Sequence, residues 1–217
     1  VVARSLEKTR RLYERLGIGR EFFLDTKKDV GIWCGNNQNR GLENYQWLAA
    51  HIRGELFRIG RLQYQLYTCD NETLDYSHLP FDAGEPVVYI HIPQGEKLVY
   101  EDCVDSIHKA ERFLQTFFPD YQYRYFFCES WLLFEGNAAF MRRDSNILRF
   151  ASLFDHAFSE CDDKQAIGRI FGARKMNPED YPENTSLQKA AKAYLLAGHK
   201  LGIGVGTIPH ITQEVSS

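Results

Sequence analysis

The sequence predicts an α/β or α+β fold, in which helices flank a central β-sheet behind a helical N-terminal segment. The first fifty residues carry apolar side chains at helical intervals. Beyond Gly54, strand-like and helix-like stretches alternate along the chain. Such alternation is typical of a sheet that buries its faces under helices.

The helical segment is predicted from three amphipathic stretches. Charged residues alternate with leucines from Ala3 to Leu16, and apolar residues recur at helical spacing from Glu21 to Cys34. The tripeptide Gly35-Asn36-Asn37 predicts the end of this second helix. A third helix is predicted from Gly41 or Leu42 to His51.

Strands are predicted after the helical segment. The later half of the stretch from Leu56 to Tyr67 alternates apolar and polar residues, which predicts a half-buried strand. A turn is predicted at Asp70-Asn71-Glu72. The run from Val87 to Ile92 is apolar apart from one histidine, and such a run predicts a central strand that is buried on both faces.

Helices and strands continue to alternate in the second half of the chain. A helix is predicted from about Cys103 to Phe118, with Glu101 and Asp102 in its first turn, where the helix dipole favours acidic residues. The remaining predictions are a strand over Tyr123–Cys128, short helices over Leu132–Met141 and Lys164–Phe171, helix or strand over Asn146–Phe158, a helix over Ser186–Leu201 and a strand over Gly202–Ile208.

Composition and charge limit the classes of function. A net charge of −3 and a pI near 6.2 predict no basic surface for a nucleic acid. No stretch reaches the roughly 18 apolar residues that a membrane span needs. The five cysteines form no CxxC pair and no His-Glu-x-x-His motif occurs, so no metal site is expected. We expect a cytoplasmic protein with reduced thiols that binds neither nucleic acid nor membrane.

Length predicts one large domain, or one domain with an appendage, because the chain has 217 residues. The chain begins with Val1 instead of methionine, which predicts a fragment or a trimmed product. A missing N-terminal part would be able to hold another piece of the functional site. The oligomeric state cannot be predicted from these features.

Several motifs carry a resemblance to a known family. They are His91-Ile92-Pro93-Gln94-Gly95, the run Cys128–Leu133, the run Asp144–Phe150, the run Trp47–Tyr64 and Thr185-Ser186-Leu187-Gln188. As a set they resemble the bacterial predicted acyltransferases with a GNAT-like C-terminal domain. The resemblance covers most of the chain, from about Asp25 to Gly206.

The resemblance implies a fold, a division into domains and an activity. The fold would be α+β, with a GNAT-like mixed central sheet flanked by helices. Residues 1–52 would be the tail of an N-terminal helical domain, and residues 53–217 would be the GNAT-like acyltransferase domain. The implied activity is transfer of an acyl group from acetyl-CoA or another acyl-CoA to an amine of a small-molecule substrate.

The loop after the predicted central strand is the candidate cofactor site. Ile92, Gln94 and Gly95 stand where a GNAT-type loop wraps the cofactor pyrophosphate with backbone N–H groups, ahead of a helix N-terminus. The loop departs from the usual pattern, because it has one glycine and because Pro93 lacks an N–H. Glu96 and the acidic first turn also place negative charge there, so an ordinary strand-to-helix loop is the alternative.

Three residues at the predicted strand ends are candidates for catalysis. His91 is a candidate general base, and a core histidine bonded to a backbone carbonyl is the alternative. Glu129 is a second candidate base, against a solvent-exposed carboxylate at a strand end. Ser130 would hydrogen-bond the thioester or the leaving thiolate, unless it caps the helix that follows.

Other side chains have weaker assignments. Trp131 is expected to anchor the core or to wall the acyl pocket. Asn146 and its neighbour Ser145 would touch the ligand or form a turn. Arg58 or Arg61 would pair with a buried carboxylate or bind an acidic substrate.

A second glycine-rich run, Gly198 to Gly206, resembles a phosphate nest in its composition. It follows a predicted helix, whereas a dinucleotide fingerprint follows a strand and opens a helix. The run is therefore interpreted as a helix end that leads into a bent strand.

Two hypotheses of function follow. The first is an acyl-CoA-dependent N-acyltransferase, in which the strands around His91 and Glu129 splay to admit the cofactor and a backbone N–H polarises the thioester carbonyl. The second is a GNAT-like module without catalysis that binds a ligand or a partner. The irregular, acidic loop favours the second hypothesis.

Overall fold

Three amphipathic helices open the chain in the computed structural model, which describes residues 2–36, 45–70 and 74–210. They are α1 (Val2–Arg15), α2 (Arg20–Asn36) and α3 (Tyr45–Arg53). All three predicted helices are thereby confirmed. Three predicted features lie outside the described residues. They are Asn37 at the predicted end of the second helix, the predicted start of the third helix at Gly41 or Leu42, and the turn at Asn71-Glu72.

Six strands and four further helices follow among the described residues. Their bounds are β1 (Leu56–Ile59), β2 (Leu62–Thr68), β3 (Pro86–His91), α4 (Tyr100–Phe117), β4 (Tyr125–Ser130), α5 (Asn146–Ala151), β5 (Asp155–Glu160), α6 (Lys164–Phe171), α7 (Ser186–Leu196) and β6 (Ile203–Pro209). The strand order is β1-β2-β3-β4-β6-β5 in one mixed sheet. The described part of the chain contains no helix that is both long and apolar enough to cross a membrane.

The described residues form two compact units. The first contains the residues up to Leu74 together with residues 81–126 and 209–210, and the second contains residues 75–80 and 127–208. The change of unit falls inside β4, between Phe126 and Phe127. The predicted boundary between residues 52 and 53 is a different division, and it stays a prediction.

The first unit contains a hairpin, and the strand predicted in the later half of Leu56–Tyr67 is confirmed as its second strand, β2. Gly60 and Arg61 form a two-residue turn between β2 and the shorter strand β1, and this turn was not predicted. Gly60 has φ of +64°, a left-handed conformation that glycine adopts without a steric penalty. The apolar pattern continues across the turn, and this continuity conceals the turn in the sequence.

Helix α4 packs on one face of this hairpin. The Ser106 hydroxyl donates to the Ile59 carbonyl, accepts from the Leu62 N–H at 3.1 Å and lies 2.9 Å from the Tyr64 hydroxyl. Ser106 and Tyr64 are both fully buried, so these bonds satisfy polar groups that water does not reach. The hairpin turn is thus fixed to α4 by one side chain.

The second unit resolves the ambiguous predictions. Asn146–Phe158 contains both predicted types, since helix α5 is followed by strand β5. The short helix predicted over Leu132–Met141 takes the form of two 3₁₀ turns, Trp131–Leu133 and Glu135–Ala139. Thr185 caps α7 in a capping box with Gln188.

Strand β6 has glycines because other parts of the second unit lie directly on its backbone. A Cβ at Gly204 would overlap the backbone of Leu133, and a Cβ at Gly202 would overlap the carbonyl of Glu160. The glycine-rich run is therefore a packing feature. Gly198 follows the end of α7 and leads into β6, which confirms the interpretation as a helix end and a strand.

We expect Gly204→Ala to destabilise the protein by about 2 kcal/mol or more, because backbone atoms cannot move aside as a flexible side chain can. The control is Gly168→Ala in α6, where an added Cβ meets nothing within 4 Å. Replacing a helical glycine by alanine stabilises a helix by up to about 1 kcal/mol. Urea unfolding measures both changes, and a Gly204→Ala protein as stable as the wild type would contradict the packing on β6.

Candidate active site

The loop between β3 and α4 is organised by a buried arginine of the β1–β2 turn. Arg61 is 7% exposed. Its guanidinium donates from Nη1 to the Pro93 carbonyl at 3.0 Å, from Nη2 to the Glu96 carbonyl at 2.9 Å and from Nε to the Lys97 carbonyl at 2.9 Å. The loop is therefore held by its own backbone carbonyls around one cation.

A second arginine holds the acidic side chain of this loop. Arg58, on β1, is 5% exposed, and its Nη2 lies 3.0 Å from Oε1 of Glu96. The Glu96 side chain is 61% exposed. A buried carboxylate was predicted as the partner of Arg58 or Arg61. For Arg58 this prediction is wrong, because the carboxylate that it binds lies at the surface.

Gly95 is the residue of this loop that requires glycine. Its φ is +102°, a conformation that side chains rarely adopt. Gln94 before it is half-buried, and Ile92 is half-buried directly after β3. The loop leads to α4, whose N-cap residue Val99 makes no side-chain capping bond and whose first turn contains Glu101 and Asp102.

His91 ends strand β3 inside a polar cluster. Its Nε2 donates to the amide Oε1 of Gln65 at 2.9 Å. The imidazole stacks on Tyr89 with centroids 4.1 Å apart, and the indole of Trp47 meets it edge-on at 4.6 Å. His91 is opposite Gln63 in the β2–β3 register, so their side chains share one face of the sheet.

Helices α2 and α3 supply the acidic part of this cluster. The Trp47 indole N–H donates to Oδ2 of Asp29 at 3.1 Å. His51 donates from Nδ1 to the Trp47 carbonyl at 2.8 Å, and its Nε2 lies 3.7 Å from the same Asp29 oxygen. Both Asp29 and His51 are buried, and burial lowers the pKa of His51.

The surroundings of His91 decide its basicity. Burial, together with the nearby His51, lowers the pKa of His91 to about 3. A histidine with this pKa is neutral at physiological pH and takes up a proton poorly. Its role as a general base stays a prediction, and the lowered pKa weighs against it.

Glu129 has the opposite shift. It is half-buried near the end of β4, and burial raises its pKa, with further contributions from Glu160 and Asp162. A carboxylate with a raised pKa is a stronger base than an ordinary glutamate. Of the three catalytic candidates, Glu129 is the one whose electrostatics fit the task.

Ser130 serves the local structure. Its hydroxyl accepts from the Leu132 N–H at 3.2 Å and thereby caps the 3₁₀ turn Trp131–Leu133. It donates to Oε1 of Gln165 at 3.4 Å, and the same oxygen accepts from the Trp131 N–H at 2.8 Å. The capping interpretation of Ser130 therefore has direct support, and Gln165 of α6 joins the end of β4 to the turn.

Trp131 packs at the edge of the second unit's apolar cluster. The buried members of this cluster are Ala166, Ile167, Ile170, Phe171, Tyr181, Ala191 and Leu201. Buried Asn137 donates from Nδ2 to the Trp131 carbonyl at 2.8 Å and so fixes the backbone beneath the indole. These contacts support the interpretation of Trp131 as a core anchor.

Asn146 is the first residue of α5 and is exposed. Ser145 before it caps α5, because its hydroxyl accepts from the Leu148 N–H at 3.2 Å. Helix α5 packs against the 3₁₀ turn Trp131–Leu133. Asn146 and Trp131 are therefore on neighbouring elements of the second unit.

The candidate residues divide between the two units. His91, Ile92, Gln94 and Gly95 belong to the first unit, and the chain brings them together at the end of β3. The second unit contains Glu129, Ser130, Trp131 and Asn146. Among the described residues, no group of three or more His, Cys, Asp or Glu side chains is arranged to hold a metal ion.

Family models identify the chain. Residues 56–208 match the model of the GNAT-like C-terminal domain, and residues 1–54 match that of the N-acyltransferase N-terminal domain. The chain belongs to the GNAT-like acyltransferase family. The family that the sequence motifs predict is thus confirmed. No curated protein matches the chain.

The chain is similar to solved structures of acyltransferases. One, in complex with decanoyl-CoA and teicoplanin, has a TM-score of 0.80 and 26% identity, and the match covers 94% of this chain and 63% of that one. A mutant acyltransferase in complex with octanoyl-CoA has a TM-score of 0.81 and 25% identity, over 95% of this chain and 64% of that one. The chain thus spans less than two thirds of the length of these proteins.

The GNAT-like fold that was expected is confirmed by these matches, as an α+β mixed sheet flanked by helices. The sequence did not predict Gln165, Asn137 or the cluster of Asp29, Trp47 and His51 as parts of the site. Arg61 was predicted to bind a carboxylate or an acidic substrate, and its hydrogen bonds to the loop carbonyls were not predicted. Recognition of the Gly60–Arg61 turn would have placed Arg61 beside the loop after β3.

We expect His91 to make the protein sensitive to mild acid. In the unfolded chain a histidine takes up a proton near pH 6.5, whereas folded His91 stays neutral down to about pH 3. His91 therefore leaves the free energy of unfolding unchanged above about pH 6.5. As the pH falls from there towards 3, that free energy decreases by about 1.4 kcal/mol per pH unit.

Urea unfolding between pH 6.5 and pH 5 measures this loss. Stability of a His91→Gln protein should depend less steeply on pH over this range. The control is His108→Gln, which removes an exposed imidazole from α4. Equal slopes for His91→Gln and the wild type would contradict a His91 that stays neutral in the folded protein.

Proposed function

We propose that the chain is the GNAT-like part of an acyl-CoA-dependent N-acyltransferase, which transfers an acyl group to an amine of a small molecule. The observation that carries the proposal is the match over 94% of the chain to an acyltransferase in complex with decanoyl-CoA. Both halves of the chain match acyltransferase family models, which supports the same activity.

The co-substrate in this proposal is acetyl-CoA or another acyl-CoA. Relatives in complex with octanoyl-CoA and decanoyl-CoA favour a medium-length acyl chain. The loop of Ile92, Gln94 and Gly95 would bind the cofactor pyrophosphate through backbone N–H groups, ahead of the positive end of α4. The opening that we expect between β3 and β4 for the thioester stays a prediction.

Glu129 is the proton acceptor that we assign to the reaction. The attacking amine must lose a proton as it bonds to the thioester carbonyl, and the CoA thiolate leaves. Because the pKa of Glu129 is raised, its carboxylate is a stronger base than that of an ordinary glutamate. His91, with its lowered pKa, is assigned a neutral role beside the loop.

The acceptor is assigned only as an amine-bearing small molecule. A relative in complex with teicoplanin supports an acceptor of this general kind. A cytoplasmic location is part of the proposal, and the five cysteines, which form no disulfide, support it. We propose no nucleic-acid or membrane partner, in keeping with the near-neutral net charge of −3.

A second candidate is the GNAT-like module that binds a ligand without catalysis. Two observations favour it, namely the low basicity of His91 and the use of the Ser130 hydroxyl as a cap. It predicts binding of acyl-CoA without turnover, and the two candidates therefore differ in a measurable way.

We expect decanoyl-CoA to bind the intact chain saturably below about 1 mM, as isothermal titration calorimetry will show. Release of free CoA is then followed by mass spectrometry, because thiol reagents would also modify the five cysteines. The acceptors are a panel of primary amines, namely an amino sugar, an amino-acid ester and a polyamine. Amine-dependent CoA release supports the transferase, binding without release supports the binding module, and no binding contradicts both.

Glu129→Gln should lower kcat by about 10² to 10⁴ while the KM for decanoyl-CoA stays unchanged, because the amide keeps the shape and removes the base. Wild-type activity should fall as the pH drops through the raised pKa of Glu129. The variant should lose this limb of the pH profile. The control is Glu179→Gln, an exposed carboxylate of the same unit. An unchanged kcat in Glu129→Gln would remove Glu129 from the mechanism.

A further inference from the structure

The buried guanidinium of Arg61 determines the direction of the backbone groups in the loop after β3. It donates to three carbonyls of that loop, those of Pro93, Glu96 and Lys97, at 2.9 to 3.0 Å. The turn that carries Arg61 is fixed in turn by Ser106 of α4. The cation is thus held on a rigid hairpin.

Because the peptide bonds of this loop are planar and trans, the three hydrogen bonds to its carbonyls also fix the directions of the N–H groups that follow those carbonyls. The described residues contain no cis peptide bond. In a trans peptide the carbonyl of one residue and the N–H of the next point in opposite directions. The three carbonyl oxygens, which would repel an anion, are therefore turned towards Arg61, and the N–H groups of Gln94, Lys97 and Leu98 point away from it. Backbone N–H groups of a loop are donors that can bind an anion.

Two neighbouring features strengthen the positive potential of this loop. Helix α4 begins at Tyr100, directly after the loop, and places its positive dipole end there. The Glu96 carboxylate, which would repel an anion, is paired with Arg58 at 3.0 Å. One of the three acidic residues that counted against phosphate binding is thereby partly neutralised, while Glu101 and Asp102 remain in the first turn of α4.

We propose that Arg61 is a positioning residue that holds the loop of residues 92–98 in the conformation that binds the pyrophosphate of CoA. This inference rests on the proposed acyl-CoA function. Arg61 acts through the loop carbonyls, and the ligand is bound by the N–H groups on the other side of the same peptides.

Lysine cannot replace this arginine. A guanidinium presents its N–H groups in a rigid planar fork, whereas an ammonium is a compact point charge on a flexible stem. Arg61→Lys keeps the positive charge and loses the simultaneous reach to three carbonyls. The variant therefore separates the geometry of the loop from its charge.

The test compares Arg61→Lys and Arg61→Met with the wild type in the intact chain. We expect the KM for decanoyl-CoA to rise about tenfold or more in both variants, with kcat within about threefold, because only ground-state cofactor binding is lost. The second substrate is decanoyl-pantetheine, which keeps the thioester and lacks every phosphate. Its kcat/KM should not change. The control is Arg53→Lys, an exposed arginine of the same unit.

Hydrogen exchange supplies a second measurement, and its comparison of CoA with pantetheine needs only the wild type. CoA should slow exchange of the Gln94, Lys97 and Leu98 amides in the wild type, and pantetheine should not. In Arg61→Lys these amides should exchange faster without ligand, while the rest of the chain is unchanged. If a variant fails to fold, the wild-type exchange pattern still decides whether the loop N–H groups meet the phosphates.

The outcomes separate the inference from the proposed function. If the wild type turns over decanoyl-CoA and Arg61→Lys has an unchanged KM and unchanged loop exchange, the role of Arg61 is wrong and the function stands. Equal losses with decanoyl-CoA and decanoyl-pantetheine would show a general structural role and would also overturn the inference. If the wild type binds no CoA, both the function and the inference fall.

Discussion

Burial of polar groups is costly unless they find partners, and this constraint shapes the backbone around the candidate residues within each unit. In the first unit, Arg61 satisfies its guanidinium with loop carbonyls and thereby shapes the segment before α4. In the second, Gln165 and Asn137 satisfy the backbone where β4 passes into a 3₁₀ turn. In each unit a side chain distant in sequence determines the backbone around a strand end.

The histidine and the glutamate illustrate how burial acts on groups of opposite charge type. Burial disfavours the charged form of each, so it lowers the pKa of His91 and raises that of Glu129. One shift makes a poor base of an imidazole, and the other makes a better base of a carboxylate. Residue type alone would favour the histidine, and the surroundings reverse that preference.

Periodicity predicted most of the fold, and local motifs predicted part of the site. The helices before Gly54 and the strand ending at His91 follow from patterns within ten or so residues. The Gly60–Arg61 turn was missed because apolar residues continue across it. The roles of Arg61 and Gln165 depend on contacts across 30 or more residues of sequence, which local patterns do not encode. Family motifs pointed to the acyl-CoA that we propose as co-substrate, which no pattern of periodicity contains.

The β1–β2 turn has only two residues, and its second residue reaches a loop more than thirty positions later in the chain. An inserted or deleted residue in such a turn would shift the register of the hairpin and swing the guanidinium away from its acceptors. The length of this turn is therefore tied to the conformation of the loop after β3. A comparison of family members should find the turn invariant in length wherever the arginine is kept, even if the neighbouring connections vary.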